Sequence, residues 1–529
     1  MKKLTVWCIV LSFLFCISFL VACDRPNQTS AQSTAEKPTV STTVPQTTMP
    51  VVTTTAIVTT TTPQTTTEPE PVYDLYPEQL VGMKEETDGT TVTFAYLEAI
   101  SGGGTYTADS IWVDPEAGEK SRLDSAIVKR NQKIYEDLGI TINVMTDEAM
   151  SVAGMYDMTK QYFAAQDPTI DVYCGNQYYD ISFVMQKHLC RVDEIKNQDG
   201  EAVLDLSRSY WSKTYNDMIS YNSEVYWVTG DLTLRYSGGM FGTFVNTDLY
   251  DAYVKQHYQG QSPFDIAKGK NWTLGTMLQM AELVGDQNTG FVYDGGETWD
   301  GLALASLRNP IRKQRFETGM DSISYQAPYD TNSRVLMDLF TSLRGSSHSV
   351  EVKSEPAIAY FAKGQTLFCV STLNRAAEAL GNTNIHFTVL PAPKMTDSQE
   401  TYRTGISRDL TLFGISKYSD CKVAAAATLE MMAYCAEVFT TDTYYRSELL
   451  RSQTKDQDQT LEMIGMMRDH IHADFTYLYN LDMKGLSSLA RDSINGSSYM
   501  TKIVLQKTKF EQAFQALKAA LEELYQADS

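Results

Sequence analysis

The chain has 529 residues, with 44 basic and 65 acidic side chains and a formal net charge of -21. This balance excludes a protein that grips nucleic acid through clustered Lys and Arg, and it argues against electrostatic docking on anionic lipid. Apolar residues make up 43% of the chain and aromatics 11%, enough for one or two sizeable cores. Only one segment reads as apolar enough to cross a bilayer, and it lies at the N-terminus.

That segment begins with Lys2 and Lys3 and runs apolar over 4–22. A short positive region before an apolar stretch is the pattern of a secretory signal; an uncleaved anchor is the alternative reading. The run ends in Leu20-Val21-Ala22-Cys23, which resembles the lipobox of bacterial lipoproteins. The resemblance implies a diacylglycerol on the Cys23 thiol and a lipid anchor in the cell membrane. Residues 1–23 are thus expected to be signal and lipobox. Residues 24–85 are expected to form a disordered stalk, because their Thr, Pro, Ser and Gln bury too little apolar surface to offset ordering entropy.

Of eight cysteines, Cys8 and Cys16 lie in the leader and Cys23 ends it. Cys174, Cys190, Cys369, Cys421 and Cys435 remain, an odd set without metal-motif spacing, and they read as free thiols packed as small hydrophobes. Nothing beyond proximity supports a Cys174–Cys190 bridge.

The folded body is expected over 86–529. Residues 91–96 alternate as a strand. Residues 121–138 read as a helix, with Leu123, Ile127, Ile134 and Leu138 on one stripe, Ser121 and Asp124 as a cap pair and Gly139 as the stop. A strand at 140–144, a helix at 152–166 and a strand at 170–173 complete the pattern of βαβ units and a mainly parallel sheet. A second such region starts near Gly238, with strands expected at 240–245, 366–370 and 385–390 and a helix at 273–284. A strand at 410–415, an Ala- and Met-rich helix over 420–438 and an amphipathic helix over 504–526 follow. The apolar face of the last includes Leu505, Phe514, Leu517, Leu521 and Leu524.

Several stretches resemble the extracellular solute-binding lipoproteins of bacterial ABC importers, the sugar-type (family 1) group. Leu138-Gly139-Ile140-Thr141-Ile142, Ile170-Asp171-Val172 and Tyr179-Asp180 are similar to the first lobe. Val225-Tyr226-Trp227-Val228-Thr229-Gly230-Asp231 resembles the crossover segment. Val245-Asn246, Asn271-Trp272-Thr273 and Phe361-Ala362-Lys363-Gly364-Gln365-Thr366-Leu367-Phe368 resemble second-lobe motifs. Pro391-Ala392-Pro393-Lys394, with Gln399-Glu400 and Tyr402, resembles a run of clostridial members. The sequence departs from the group over 285–330, where Glu297-Thr298-Trp299-Asp300 replaces an acidic, glycine-rich loop. The resemblance implies a two-lobed, periplasmic-binding-protein-like α/β fold with hinge strands. Lobe 1 would take about 90–230 and 405–450, lobe 2 about 235–400, and C-terminal helices 455–529. It further implies a monomer on the extracellular face of a Gram-positive-type cell, which captures a sugar or oligosaccharide, needs no cofactor and serves an ABC permease.

A sugar cleft needs aromatic faces and hydroxyl-binding polar groups. The candidate stackers are Trp112, Tyr178, Tyr179, Trp211, Tyr236 and Trp299. The candidate polar groups are Asp180, Asp231, Glu297, Asp300 and Arg408. Trp227 is expected in the core, and Tyr179-Asp180 also fits a helix cap. Asp469-His470-Ile471-His472 with Asp474 is not expected to bind metal, because residues two apart on a helix face different ways. No nucleophile elbow or phosphate loop is present. A surface sensor or adhesin and a secreted carbohydrate-active enzyme are the alternatives to the importer reading.

Overall fold

The computed structural model describes residues 76–96, 111, 121–145, 152–307, 310–328, 330–451, 456–494 and 499–526. The leader, Cys23, most of the stalk and Trp112 lie outside them. Pro71–Ser529 form one compact unit.

The chain opens with β1 (Thr91–Tyr96), α1 (Arg122–Leu138), β2 (Thr141–Met145), α2 (Val152–Ala165) and β3 (Val172–Asn176). At the start of α1, Ser121 Oγ accepts from the Asp124 amide at 3.0 Å, and Asp124 Oδ2 accepts from the Ser121 amide at 2.9 Å. This capping box satisfies two donors that the first turn leaves orphaned. Gly139 ends the helix at φ 67°, a conformation that glycine adopts without strain. The stripe Leu123, Ile127, Ile134 and Leu138 is buried. Each such side chain contributes roughly 1.5–3 kcal/mol of transfer free energy. β1 pairs in parallel with both β2 and β3.

The chain then folds back on this sheet through α3 (Lys213–Ile219). Trp227 is buried as expected, and its ring lies so close over Gly175 and Gly414 that an added Cβ would approach it to 3.0 and 2.8 Å.

A second lobe follows. It contains β4 (Phe241–Asn246), α4 (Leu274–Ala281), β5 (Thr289–Asp294), α5 (Glu297–Ser306), a hairpin of β6 (Ile311–Arg315) and β7 (Asp321–Tyr325), α6 (Thr331–Gly345), β8 (Ser349–Val352), β9 (Thr366–Thr372), α7 (Leu373–Leu380) and β10 (Phe387–Pro391). Its sheet runs β10-β4-β9-β5-β8, parallel from β9 to β8 and antiparallel from β10 to β9. The chain returns as β11 (Thr411–Ile415), antiparallel to β3 at the edge of the first sheet. It continues through α8 (Lys422–Cys435), α9 (Gln457–Asp469), α10 (Phe475–Leu478), α11 (Leu489–Ile494) and α12 (Lys507–Gln526).

Two details correct the sequence reading. The helical run Lys422–Leu449, 28 residues long, is also long and apolar enough to cross a membrane, yet most of it is buried inside the protein. Core helices and spanning helices share this composition, and burial separates them. At the C-terminus, α12 starts at Lys507, and Leu505 belongs to a preceding helix, Tyr499–Leu505, where it is 78% exposed. Phe514, Leu517, Leu521 and Leu524 are buried. Cys174, Cys190, Cys369, Cys421 and Cys435 are free, with Cys174, Cys369 and Cys435 buried.

The first lobe carries a carboxylate in its core. Glu430 on α8 accepts from Tyr210 Oη at 2.7 Å, Trp211 Nε1 at 2.9 Å, Gln79 Nε2 at 3.0 Å and the Asp205 amide at 3.2 Å. Burial pushes its carboxyl up to about 7, against the pull of these donors. An amide in its place turns a donor toward some of them. Glu430→Gln is expected to lower stability by about 2–4 kcal/mol in urea denaturation, from one or two buried donors left unpaired. A change below about 0.5 kcal/mol would show the network to be dispensable.

Candidate functional site

The two lobes are joined by crossing segments that hold each other. Met240 and Ile406 form an antiparallel bridge. The Phe241 amide donates to the Gly405 carbonyl at 3.0 Å, and the Ser407 amide to the Gly239 carbonyl at 2.8 Å. A Cβ on Gly239 would sit 2.1 Å from the Arg235 carbonyl oxygen, so this close approach needs glycine.

Beside the crossings lies a cleft of about 260 Å³. The first lobe presents to it the residues just before β11, Ser407, Arg408 and Asp409. The second lobe presents Asp294 at the end of β5, Glu297 and Asp300 on the first turn of α5, and Arg375 on α7, which follows the end of β9. Phe241, Tyr477 and Arg491 complete the wall. In open α/β sheets ligands bind beyond the carboxyl ends of strands, and the ends of β5 and β9 meet this rule.

The cleft is built from ion pairs. Glu297 Oε2 meets Arg375 Nε at 2.6 Å. Its Oε1 accepts from Ser371 Oγ at 2.9 Å, the Thr372 amide at 2.9 Å and Thr372 Oγ1 at 3.0 Å. Burial raises the Glu297 carboxyl, while Arg375 and these donors pull it back. Asp300 accepts from Arg491 Nη1 at 3.1 Å, and burial lifts its carboxyl to about 6 against the pull of Arg491 and Arg408. Arg408 is exposed, 4.0 Å from Asp409. Its guanidinium lies 5.9 Å from the ring centroid of Tyr178, at the margin of a cation–π contact. Tyr178 Oη accepts from Asn480 Nδ2 at 2.8 Å. Each carboxylate–guanidinium pair sets acceptors beside donors, which matches adjacent hydroxyls on one ligand.

The structure thus gathers Glu297, Asp300 and Arg408 at the cleft, with half-buried Tyr178 at its edge and Tyr179 packed edge-on against Tyr178 at 4.9 Å. Other candidates lie elsewhere. Trp299 is 0% exposed, packed among Phe291, Tyr293 and Phe340 in the second-lobe core, and presents no face to a ligand. Its position on α5 directs it inward while Glu297 and Asp300 reach the cleft. Trp211 is buried with its indole N–H on Glu430. Asp231 is buried in a bidentate pair with Arg468 of α9, at 2.6 and 2.8 Å, and also accepts from Ser237 Oγ. Tyr236 is buried next to this pair, and burial raises its hydroxyl. Asp180 is 0% exposed and accepts from the Asn176 amide at 2.6 Å; burial lifts it to about 7. Its side chain makes no cap bond to the short helix it precedes.

Sequence reasoning missed Arg375 and Arg491. Single arginines carry no periodic signal, and only the fold brings them to the acids. His470 turns Nδ1 to the Met466 carbonyl, and His472 is half-buried beside Arg403. Among the described residues no three His, Cys, Asp or Glu side chains are grouped to hold a metal.

No family model matches the chain, and no curated protein matches it. Solved structures do. An ABC substrate-binding protein from Listeria monocytogenes, in complex with cycloalternan, superposes with a TM-score of 0.51 at 14% identity, over 82% of this chain and 100% of that one. RafE from Streptococcus pneumoniae, in its apo form, gives 0.49 at 14% identity, over 81% and 98%. Maltose-bound MalE3 from T. maritima gives 0.48 at 12% identity, over 83% and 99%. On the superposition with the Listeria protein, the chain has the two-lobed fold of that ABC substrate-binding protein.

Substitutions at two buried positions test their assignment to the interior. Trp299→Ala is expected to cost roughly 3–5 kcal/mol, whereas Trp299→Phe costs far less, because the indole N–H has no acceptor to lose. Equal losses in denaturant midpoints would contradict this packing. Asp231→Ala strands Arg468 and is expected to cost about 3–5 kcal/mol of stability.

Proposed function

We propose that this protein captures a small polar solute, most simply a carbohydrate, in the interlobe cleft and delivers it to an ABC permease without chemical turnover. The observation that carries this reading is the ion-paired cleft at the crossing segments, with Glu297, Asp300, Arg375, Arg408 and Arg491 on one wall system. Its volume lies just below the roughly 300–1,000 Å³ usual for small-molecule sites, which suits a small ligand held between closed lobes. The carboxylates accept from hydroxyls, the guanidiniums donate to them, and Tyr178 supplies the aromatic edge. The cycloalternan complex of the Listeria neighbour supports the carbohydrate class.

The remaining parts follow the same reading. Residues 1–23 export the chain and leave Cys23 lipidated, the stalk runs from 24 to about 75, because Gln79 and Leu80 already belong to the first lobe, and the rest forms the binding body outside the cell. Lobe closure is the signal that the permease reads, since hinge motion changes the surface that both lobes present together.

Thermal unfolding against a panel of mono- and oligosaccharides tests the reading. A ligand that binds only the folded state raises the midpoint by mass action. A shift of several degrees is expected for one sugar, and Arg408→Ala together with Glu297→Gln is expected to abolish it. A flat panel at millimolar sugar would contradict the carbohydrate class, and release of product would contradict a pure binding role. Affinity is also expected to fall as the pH drops through about 6, because Asp300 then protonates and loses acceptor capacity. A pH-independent affinity between 5 and 7 would remove Asp300 from the site.

A further inference from the structure

The β6–β7 hairpin lies outside the second-lobe sheet and pairs only with itself among the described strands. Its base is fixed on the C-terminal elements. The Ile311 amide donates to Thr476 Oγ1 at 3.1 Å, and the Tyr325 ring stacks on Phe514 at 5.7 Å. Its far end reaches a different part of the molecule, the end of α3 and the turn 221–224. That turn belongs to the first lobe, since Asn216 on α3 exchanges hydrogen bonds with Thr229, and Val228 bridges Phe413 of β11.

The contact is dense. Lys313 Nζ donates to the Asp217 carbonyl at 2.5 Å and to the Ser220 carbonyl, so it satisfies acceptors that the end of α3 leaves open. It also pairs with Asp321 at 3.4 Å, with the two side chains 5% and 0% exposed. Arg315 holds Asp321 bidentately at 3.1 and 3.0 Å and donates to Ser220 Oγ at 2.8 Å. The two turns then exchange bonds between backbone and side chain. The Asn222 amide donates to Asp321 Oδ2 at 2.7 Å, and the Asp321 amide donates to Asn222 Oδ1 at 2.8 Å. Ser223 Oγ donates to the Gly319 carbonyl at 3.0 Å.

The turn that receives the hairpin is a tight one. Asn222 and Ser223 stand at φ 51° and 66°, in the left-handed region. Two such residues make a type I′ turn, which the backbone bonds between Tyr221 and Glu224 close. The hairpin braces this turn through Asn222 and Ser223. It also leaves Lys313 and Asp321 without solvent, so they need each other and the α3 carbonyls.

We propose that the β6–β7 hairpin is a clasp that fastens the second lobe to the first beside the cleft, and that its release controls how often the cleft opens. The proposal rests on reading the cleft as a solute site. The first lobe also meets the C-terminal segment through Tyr178 and Asn480, through Ser182 and Asp482 at 2.5 Å, and through α12, which packs on residues 181–186. The clasp adds to these contacts the buried charges that they lack.

Amide hydrogen exchange on the full chain without any solute tests this. Asp321→Ala is expected to speed exchange about tenfold or more in segments 175–183 and 474–482, which are far from the hairpin in sequence but meet across the cleft. Strands β4 and β9, in the second-lobe core, are expected to keep wild-type protection. If β4 and β9 lose protection, the variant is misfolded, and Ser223→Ala combined with Asn222→Gly takes its place with the same expected direction. Acceleration confined to 218–224 and 312–322 overturns the proposal, because the hairpin would then be a surface attachment that does not govern opening. Because no solute is present, this outcome is independent of whether any sugar binds.

Discussion

The two crossing segments that bond to each other at Met240 and Ile406 are the constraint on which the rest depends. They carry the chain out of the first lobe and back into it. Their pairing fixes where β4 begins and where the residues before β11 lie. Because β4 starts opposite the end of β9, the carboxyl ends of β9 and β5 arrive at the same place. Arg408 and Asp409, just before β11, are then brought to Glu297 and Asp300. A cleft at this point follows from topology before any side chain is chosen.

Charge placement around the crossings divides into two kinds. The pair of Asp231 and Arg468 is bidentate and anchored further by Ser237, with Asp231 buried, so it fixes the crossing against α9. The pairs of Glu297 with Arg375 and Asp300 with Arg491 lie at a cavity wall, where the carboxylates are 13% and 14% exposed against 1% for Asp231. A ligand can exchange hydrogen bonds with the second kind and not with the first. This is why one acid of the crossover motif is structural while two acids of α5 are placed for binding.

Much of the fold was legible in the sequence, for physical reasons that stop at the site. The stripe on α1, its capping box and its stop at Gly139 are local features, and they fold as read. The alternation of strand and helix needs only periodicity. Trp299 and Trp211 were not legible, because a large aromatic side chain suits a sugar face and a core equally, and only tertiary packing chooses. Arg375 and Arg491 gain meaning only from residues far away in the chain. The hairpin over Ile311–Tyr325 was not read as strands, because Arg312, Lys313, Gln314 and Arg315 show no apolar alternation. Its burial of Lys313 depends on a turn almost 100 residues earlier. The apolar stripe at the C-terminus was placed one helix too long at Leu505, where the chain breaks at Gln506.

The account's central claim is that the lobes close over a solute at the ion-paired cleft. Small-angle X-ray scattering tests it most directly, by the radius of gyration of the protein titrated with the sugar that stabilises it. The account predicts a saturable fall in that radius, lost in the Arg408→Ala variant, because closure brings the lobes together. A radius unchanged at saturating, bound sugar would contradict closure and leave a rigid receptor in its place.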